Sequence, residues 1–244
     1  MNNMTIFLTG SKGVLGKQLK KVFPDSLSPS HKELDVGERD DIFRYFQKHS
    51  DITTIIHAAA LTSVRPCEDN KLEAWKSNVN GTKNLVDAAF KINPEIYFIY
   101  ISTACVFQGT KGMYNEKDLP YPKNFYAFTK YIGETKITTL NQLIIRTNFV
   151  GNEPWRYPKA FADRFGTYLF AEGVAKGVKD VIDANLKGIV HIVGDKKISM
   201  YELAKMTSPN VKPMSLDEYE GPPVTVDMSL DTIRWHKYNI NTNV

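Results

Sequence analysis

The sequence predicts an α/β fold, a doubly wound parallel sheet with a small carboxyl-terminal lobe. Three observations predict it. Short segments with apolar centres at residues 5–8, 53–57, 96–101, 142–146 and 189–193 have the length of strands covered on both faces. Segments of helical spacing stand between most of them, the alternation that builds a parallel sheet. Glycines at 10, 13 and 16 follow the first run directly.

Thr5-Ile6-Phe7-Leu8 leads into Thr9-Gly10-Ser11-Lys12-Gly13-Val14-Leu15-Gly16, and a helical pattern through Leu19, Val22 and Phe23 stops at Pro24. Backbone N–H groups at a helix mouth form an anion site, and small residues let a pyrophosphate approach them. G-x-x-G-x-x-G between a strand and a helix is the dinucleotide signature with one spacing changed. Gly10, Ser11, Lys12, Gly13, Val14 and Leu15 are therefore the first cofactor candidates, and the fold is Rossmann-like.

A short, poor strand is expected around residues 26–30, with His31 and Lys32 at its carboxyl end. An acidic tip would chelate ribose hydroxyls, whereas basic and hydroxyl groups suit a 2′-phosphate, so NADP(H) is favoured over NAD(H). A solvated loop of Ser28, Ser30 and Lys32 is the alternative. Leu34-Asp35-Val36 reads as a brief extended piece whose Asp caps the next helix or faces the adenine. Ile42, Phe43, Tyr45 and Phe46 carry that helix to His49.

Residues 53–57 read as the fourth strand and end in Ala58-Ala59-Ala60, small residues that leave room for a ligand. His57, inside an apolar strand without a Cys or carboxylate neighbour, reads as a packed core histidine. A long helix is expected over 74–90, carrying Trp75, Val79, Leu85, Val86 and Ala89. The strand at 96–101 delivers Ser102-Thr103-Ala104 to its carboxyl end, where open parallel sheets bind ligands. A hydroxyl there can reach a substrate oxygen; capping a turn is its plainer use.

Residues 109–124, rich in Gly, Pro and charge, form a loop before Asn124-Phe125-Tyr126-Ala127-Phe128-Thr129-Lys130, which opens a helix running to about Leu140. Tyr126 and Lys130, four apart, share a helix face. An ammonium about 5 Å away at an effective dielectric of ~20 favours phenolate by ~3 kcal/mol, which moves a phenol about two units towards neutral pH. A general acid works best there.

Residues 142–146 form the sixth strand. The composition then changes over 147–159, where a specificity loop is expected, with Asn148 and Arg156 as substrate candidates. Arg156, Lys159 and Arg164 are cations suited to a diphosphate. A strand at 189–193, a helix at 200–206 and a proline-punctuated tail from 208 complete the chain.

The charges, 31 basic and 27 acidic for a net +4, are interleaved, which argues against a nucleic-acid arm. No apolar run reaches eighteen residues, so no membrane span is expected, and the first residues do not resemble a signal peptide. Two cysteines, Cys67 and Cys105, are too few for a disulfide framework or a Cys-rich metal site, and a reducing cytoplasm fits them. No metal site is expected. The expected division is a dinucleotide-binding domain at 1–150 and a reduced lobe at 151–244 interleaved with the last sheet elements.

Several motifs in order resemble the extended short-chain dehydrogenase/reductases that act on nucleotide sugars, in their reductase branch. They are the glycine segment, Glu33-Leu34-Asp35-Val36, His57-Ala58-Ala59-Ala60, Val79-Asn80-Gly81-Thr82, Ser102-Thr103-Ala104-Cys105-Val106-Phe107, Tyr126 with Lys130, and Arg146-Thr147-Asn148-Phe149-Val150-Gly151. Ser229-Leu230-Asp231-Thr232 looks like the reductases' tail motif. The resemblance implies that Thr103 steadies a carbonyl oxygen, Tyr126 donates a proton, and Lys130 holds the nicotinamide ribose and tunes the Tyr. It implies adenine contacts at Asp35 and Val36 and cofactor contacts at Ala58, Ala59 and Ala60. The implied activity is NAD(P)-dependent reduction of a keto group on a nucleotide-linked sugar. A 4-epimerase with tightly held NAD and a non-catalytic, cofactor-binding regulatory subunit are the alternatives. Homodimers are common in this family. The chain departs from the reductase pattern at Ala104, usually Asp, and at Ala127, usually Gly. Ala104 and Cys105 also lack the dehydratases' acid pair, and the segment after Gly151 is short.

Overall fold

The computed structural model describes residues 4–137 and 141–240. Strand β1 (Ile6–Thr9) runs through the glycine loop into α1 (Val14–Val22), followed by α2 (Arg39–Lys48), β2 (Thr54–His57) and α3 (Val64–Asp69). Next come α4 (Lys71–Trp75), α5 (Gly81–Ile92), β3 (Tyr97–Ile101), α6 (Phe125–Lys136) and β4 (Gln142–Thr147). Short strands β5 (Phe149–Val150), β6 (Lys159–Phe161), β7 (Phe165–Gly166) and β8 (Leu169–Phe170) precede α7 (Ala171–Asp183) and β9 (Gly188–Ile192). The chain then passes through β10 (Ile198–Ser199), α8 (Met200–Lys205) and β11 (Lys212–Met214).

Strands β1, β2, β3, β4 and β9 form one parallel sheet in that order. Side chains alternate across it, as a two-residue period requires. Ile6, Leu8, Ile99, Ile101, Leu143 and Ile145 pack with α1 and α7. Phe7, Ile55, Phe98, Tyr100 and Ile144 pack with α2 and α5. Both faces are covered, which is why the centres of these strands are apolar on both sides.

The poor strand foreseen at 26–30 is reduced to one parallel bridge, Leu27 to Phe7, on the side of β1 away from β2. The segment at 34–36 forms no strand, although Leu34 and Val36 are buried. The strand at 53–57 is thus the second full strand, not the fourth. The chain leaves β1 to one side and returns on the other, so the topological switch point falls between the carboxyl ends of β1 and β2.

The helix foreseen at 74–90 begins at Lys71 and contains a π-helical turn, Lys76–Asn80, between α4 and α5. Such turns rotate side chains out of regular register. Here Asn78 is buried, and its amide bonds both backbone groups of Leu61 (2.8 and 3.0 Å) and the Thr129 hydroxyl (2.9 Å). The turn thereby locks α6 to the loop after β2. Helix α6 ends at Lys136; the terminus foreseen at Leu140 lies outside the described residues.

A buried charge network fixes the elements that meet at the site. Arg146 on β4 forks onto Glu134 of α6 (3.0 and 2.7 Å), and Ser102 at the end of β3 donates to the same carboxylate. Each desolvated charge has its partner, as burial demands. Helix α7 and β9 return to the layers around the sheet, and Leu169 and Tyr238 join the same core, so the outer lobe of short strands and tail is packed onto the sheet's own core. The tail is packed, contrary to its lack of periodicity. Leu230 bridges to Tyr114, and Glu116 accepts from His191 N–H (3.0 Å), the Thr232 hydroxyl (2.7 Å) and Ile233 N–H (3.0 Å).

Candidate active site

A cleft of about 690 Å³ lies along the carboxyl edge of the sheet at the switch point. It brings together Gly10, Ser11, Lys12, Gly13, Val14 and Leu15 from the loop, Val36, Ala58, Ala59 and Ala60, and then Thr103, Tyr126, Lys130, Asn148 and Arg156. Among the described residues, Lys12, His31, Lys130, Arg156 and Arg164 line it, and no Asp or Glu does. The cleft is built for anions.

The glycine loop fits a dinucleotide pyrophosphate. Gly10 has φ +74°, and a Cβ there would sit 2.7 Å from the Ala58 carbonyl carbon and Ala59 nitrogen. A Cβ at Gly16 would lie 1.9 Å from the Gly10 carbonyl oxygen. These contacts hold the loop, α1 and the loop after β2 within backbone distance. Gly13 begins α1 without a side-chain cap, and the first turn holds no acid, so its N–H groups are available to an anion. Val14, 55% exposed at the first position of α1, is an apolar contact surface that a ligand would cover.

At the adenine end, Val36 lines the cleft but Asp35 does not. Its carboxylate accepts from Gly37 N–H (2.8 Å) and pairs with Lys76 (3.2 Å), which the π-helical turn brings across. The capping role foreseen for Asp35 is not what its contacts show: the N-cap of α2 is Glu38, and the Asp35 carboxylate is paired with a lysine distant in sequence. Ser30 and His31 line the cleft wall; Lys32 does not. His57 is fully buried between the hydroxyls of Thr9 (2.7 Å) and Thr82 (3.1 Å), and burial lowers its pKa to about 3. It is a neutral core histidine that ties β1 to α5.

The Thr103 hydroxyl accepts from Cys105 N–H (3.1 Å) and sits close enough to the Tyr126 phenol to act on its pKa. Asn124 caps α6 by accepting from Ala127 N–H (2.9 Å), and Glu68 accepts from Phe125 N–H (2.7 Å), which fixes the turn that presents Tyr126. The expected lowering of the phenol does not occur. Burial raises the Tyr126 pKa, and the Cys105 thiol adds to the rise, while Thr103 opposes it. The Lys130 ammonium instead lies 4.0 Å over the ring of Tyr100. Burial pulls its pKa down to about 7, against the pull of Glu134.

This lowering has a measurable consequence. Below pH 7 both folded and unfolded protein carry the charge, and the burial penalty is constant. Between pH 7 and the unfolded lysine value of about 10.4, the folded state sheds a proton that the unfolded state keeps, so stability rises with pH. Urea denaturation of ligand-free protein is expected to show a gain of about 1 kcal/mol per pH unit between pH 7 and 9, and Lys130→Met should abolish it. Equal slopes for the two proteins would refute the assignment.

The substrate half shows what spacing alone did not reveal. Arg164 lines the cleft, as do Tyr168, Met200, Met228 and Cys105; Lys159 instead pairs with Glu218 (2.7 Å). Arg156 is exposed on the rim and lies 4.8 Å over the Tyr157 ring. Met228 comes from the tail just before the Ser-Leu-Asp-Thr motif, the one nearby sequence signal. Ser229 beside it is pinned by Met113 N–H (2.8 Å).

A family model described as "RmlD substrate binding domain" matches residues 4–165. The chain is 30% identical over 230 residues to dTDP-4-dehydrorhamnose reductase of Aggregatibacter actinomycetemcomitans, covering 82% of this chain and 76% of that one. It is 27% identical over 241 residues to methionine adenosyltransferase 2 subunit beta of Bos taurus, covering 83% and 70%. Among solved structures it resembles a dTDP-4-dehydrorhamnose reductase from Clostridium acetobutylicum, with TM-score 0.85 and 26% identity over 93% of this chain and 90% of that one. It is equally similar to dTDP-4-dehydrorhamnose reductase from Bacillus anthracis in complex with NADP: TM-score 0.85, 25% identity, 93% and 90% covered.

Proposed function

Because the chain belongs to the RmlD substrate-binding domain family, we propose that it is an NAD(P)-dependent oxidoreductase that reduces a keto group on a nucleotide-linked sugar, in the manner of dTDP-4-dehydrorhamnose reductase. The observation that carries this reading is the convergence of Thr103, Tyr126 and Lys130 in one carboxylate-free cleft with the glycine loop. Nicotinamide, when bound, supplies the hydride to the keto carbon. Tyr126 gives its proton to the carbonyl oxygen, and Thr103 holds that oxygen by a hydrogen bond. A raised phenol pKa suits this role, since the acid keeps its proton at neutral pH until a far more basic alkoxide develops. Lys130 would hold the nicotinamide ribose, a hydrogen-bonding role its buried position allows.

NADP(H) is the preferred cofactor in this proposal. Ser30, His31 and Lys12 line the cleft without a carboxylate, and the Bacillus anthracis relative is in complex with NADP. Glu33 at that tip turns its carboxylate onto Ser30 N–H (2.7 Å). The likeness to methionine adenosyltransferase 2 subunit beta favours a second reading, a cofactor-binding subunit of another enzyme.

Nicotinamide absorbance, followed with NADPH and a panel of dTDP-, UDP- and GDP-linked keto sugars, tests these readings. One panel member should consume NADPH in proportion to product. Epimerised sugar with NADPH unchanged would indicate the 4-epimerase. Cofactor binding without turnover of any sugar would overturn the reductase and favour the subunit.

A further inference from the structure

The cleft contains a second cluster of unsatisfied polar groups, beyond the Thr103–Tyr126–Lys130 constellation. Thr147 Oγ1, Asn148 Nδ2 and the Tyr168 hydroxyl are all buried without a hydrogen-bond partner, and all three residues line the cleft. They are contiguous: a Cβ added to Gly166 would lie 2.7 Å from the Tyr168 ring and 2.8 Å from Asn148 Nδ2. Buried polar groups left unpaired in a protein point to a partner from outside.

Arg164 stands beside them, and its charge is felt at the Tyr168 hydroxyl. Its partners among the described residues are the Thr225 carbonyl (2.9 Å from Nε) and the sulfurs of Met200 (4.0 Å) and Met228 (3.8 Å). The nearby Asp227 is claimed by Lys197 and Ser229. The guanidinium therefore faces a ligand cleft with one carbonyl and two thioethers, none of which neutralises it.

Its position relative to the chemistry is also fixed. The Met228 sulfur that touches Arg164 lies 3.8 Å from the Cys105 sulfur, and Cys105 adjoins Thr103 and Tyr126. Two side chains, Met228 and Cys105, thus link Arg164 to the Thr103–Tyr126 pair. Arg156, on the exposed rim, is the cation left for a diphosphate. A guanidinium fork and an amide N–H₂ are donors only, and a planar carboxylate accepts from both at once.

We propose that Arg164, Tyr168 and Asn148 form an oxyanion subsite for a carboxylate carried on the sugar ring that bears the keto group, so that the substrate is an acidic nucleotide sugar. This inference rests on the nucleotide-sugar reading above and narrows it.

Calorimetric titration of the NADP⁺-loaded protein with matched pairs, UDP-glucose against UDP-glucuronate and dTDP-glucose against dTDP-glucuronate, tests it. In the pair with the right nucleoside the glucuronate should bind about 10- to 100-fold more tightly than the glucose. Arg164→Met should erase that preference. Arg164→Lys, which keeps the charge but not the fork, and Tyr168→Phe, which keeps the ring, should each reduce it, with circular dichroism and melting temperature confirming the fold. Equal binding within each pair by the wild type would overturn the subsite and leave the nucleotide-sugar reading standing. Equal weakening of both sugars and of the free nucleoside diphosphate by Arg164→Met would assign Arg164 to the diphosphate and overturn the proposal. Failure of every nucleotide sugar to bind would overturn both readings together.

Discussion

Tyr126→Phe is expected to lower kcat for keto-sugar reduction by about 10²- to 10⁴-fold, the usual contribution of a positioned general acid, while cofactor binding persists. The substitution removes one oxygen and keeps the ring, so the ring's packing against the cluster that includes Ala127, Val106 and Leu230 is retained. What disappears is the group beside Thr103 that can give up a proton. Thr103→Ala should cost less, because it removes a hydrogen bond to the oxygen and leaves the acid in place. The measurements are steady-state NADPH oxidation and a fluorescence titration of bound nicotinamide. Turnover at the wild-type rate by the Tyr126→Phe variant would sink the assignment.

Gly16→Ala should weaken dinucleotide binding by about 100-fold, the scale expected when a binding group is displaced by an ångström. It should also destabilise the protein by about 1–3 kcal/mol, as overpacking does. The added carbon would sit 1.9 Å from the Gly10 carbonyl oxygen and 2.8 Å from the Ser11 Cα, both backbone atoms that cannot swing aside. Helix α1 must therefore shift away from the loop whose N–H groups face the cleft. Gly13→Ala is the internal comparison. Gly13 has φ −72°, and its Cβ would meet the same oxygen at 3.3 Å, a contact a small adjustment relieves. Its effect should be several-fold at most. Nicotinamide fluorescence and urea denaturation read both variants, and equal behaviour of the two would refute the packing account.

Much of this fold and part of its site are legible one segment at a time. The two-residue alternation of Ile6, Phe7 and Leu8 decides which face each side chain enters. The spacing of Gly10, Gly13 and Gly16 marks the loop, and Tyr126 and Lys130, four apart, do reach one cleft. Asp35 illustrates the other kind of outcome. Nothing adjacent to it announces Lys76, which lies 41 residues away and is carried to it by a π-helical turn.

Charge states followed the same division. Spacing placed the Lys130 ammonium near the phenol and so implied a lowered Tyr126, but burial acts on both groups and favours the neutral form of each. Desolvation depends on everything packed around a group, and no local pattern encodes it.

The sequence by itself determined the parallel α/β architecture and marked the glycine loop and the Tyr126–Lys130 pair, because these follow from covalent spacing and from residue shape. Only the tertiary structure decided that Arg164, Tyr168, Asn148 and Met228 share a wall with Thr103, and which charges survive there. They arrive from the end of β4, the short strands of the outer lobe and the tail, and their proximity is a property of packing between segments that are remote along the chain.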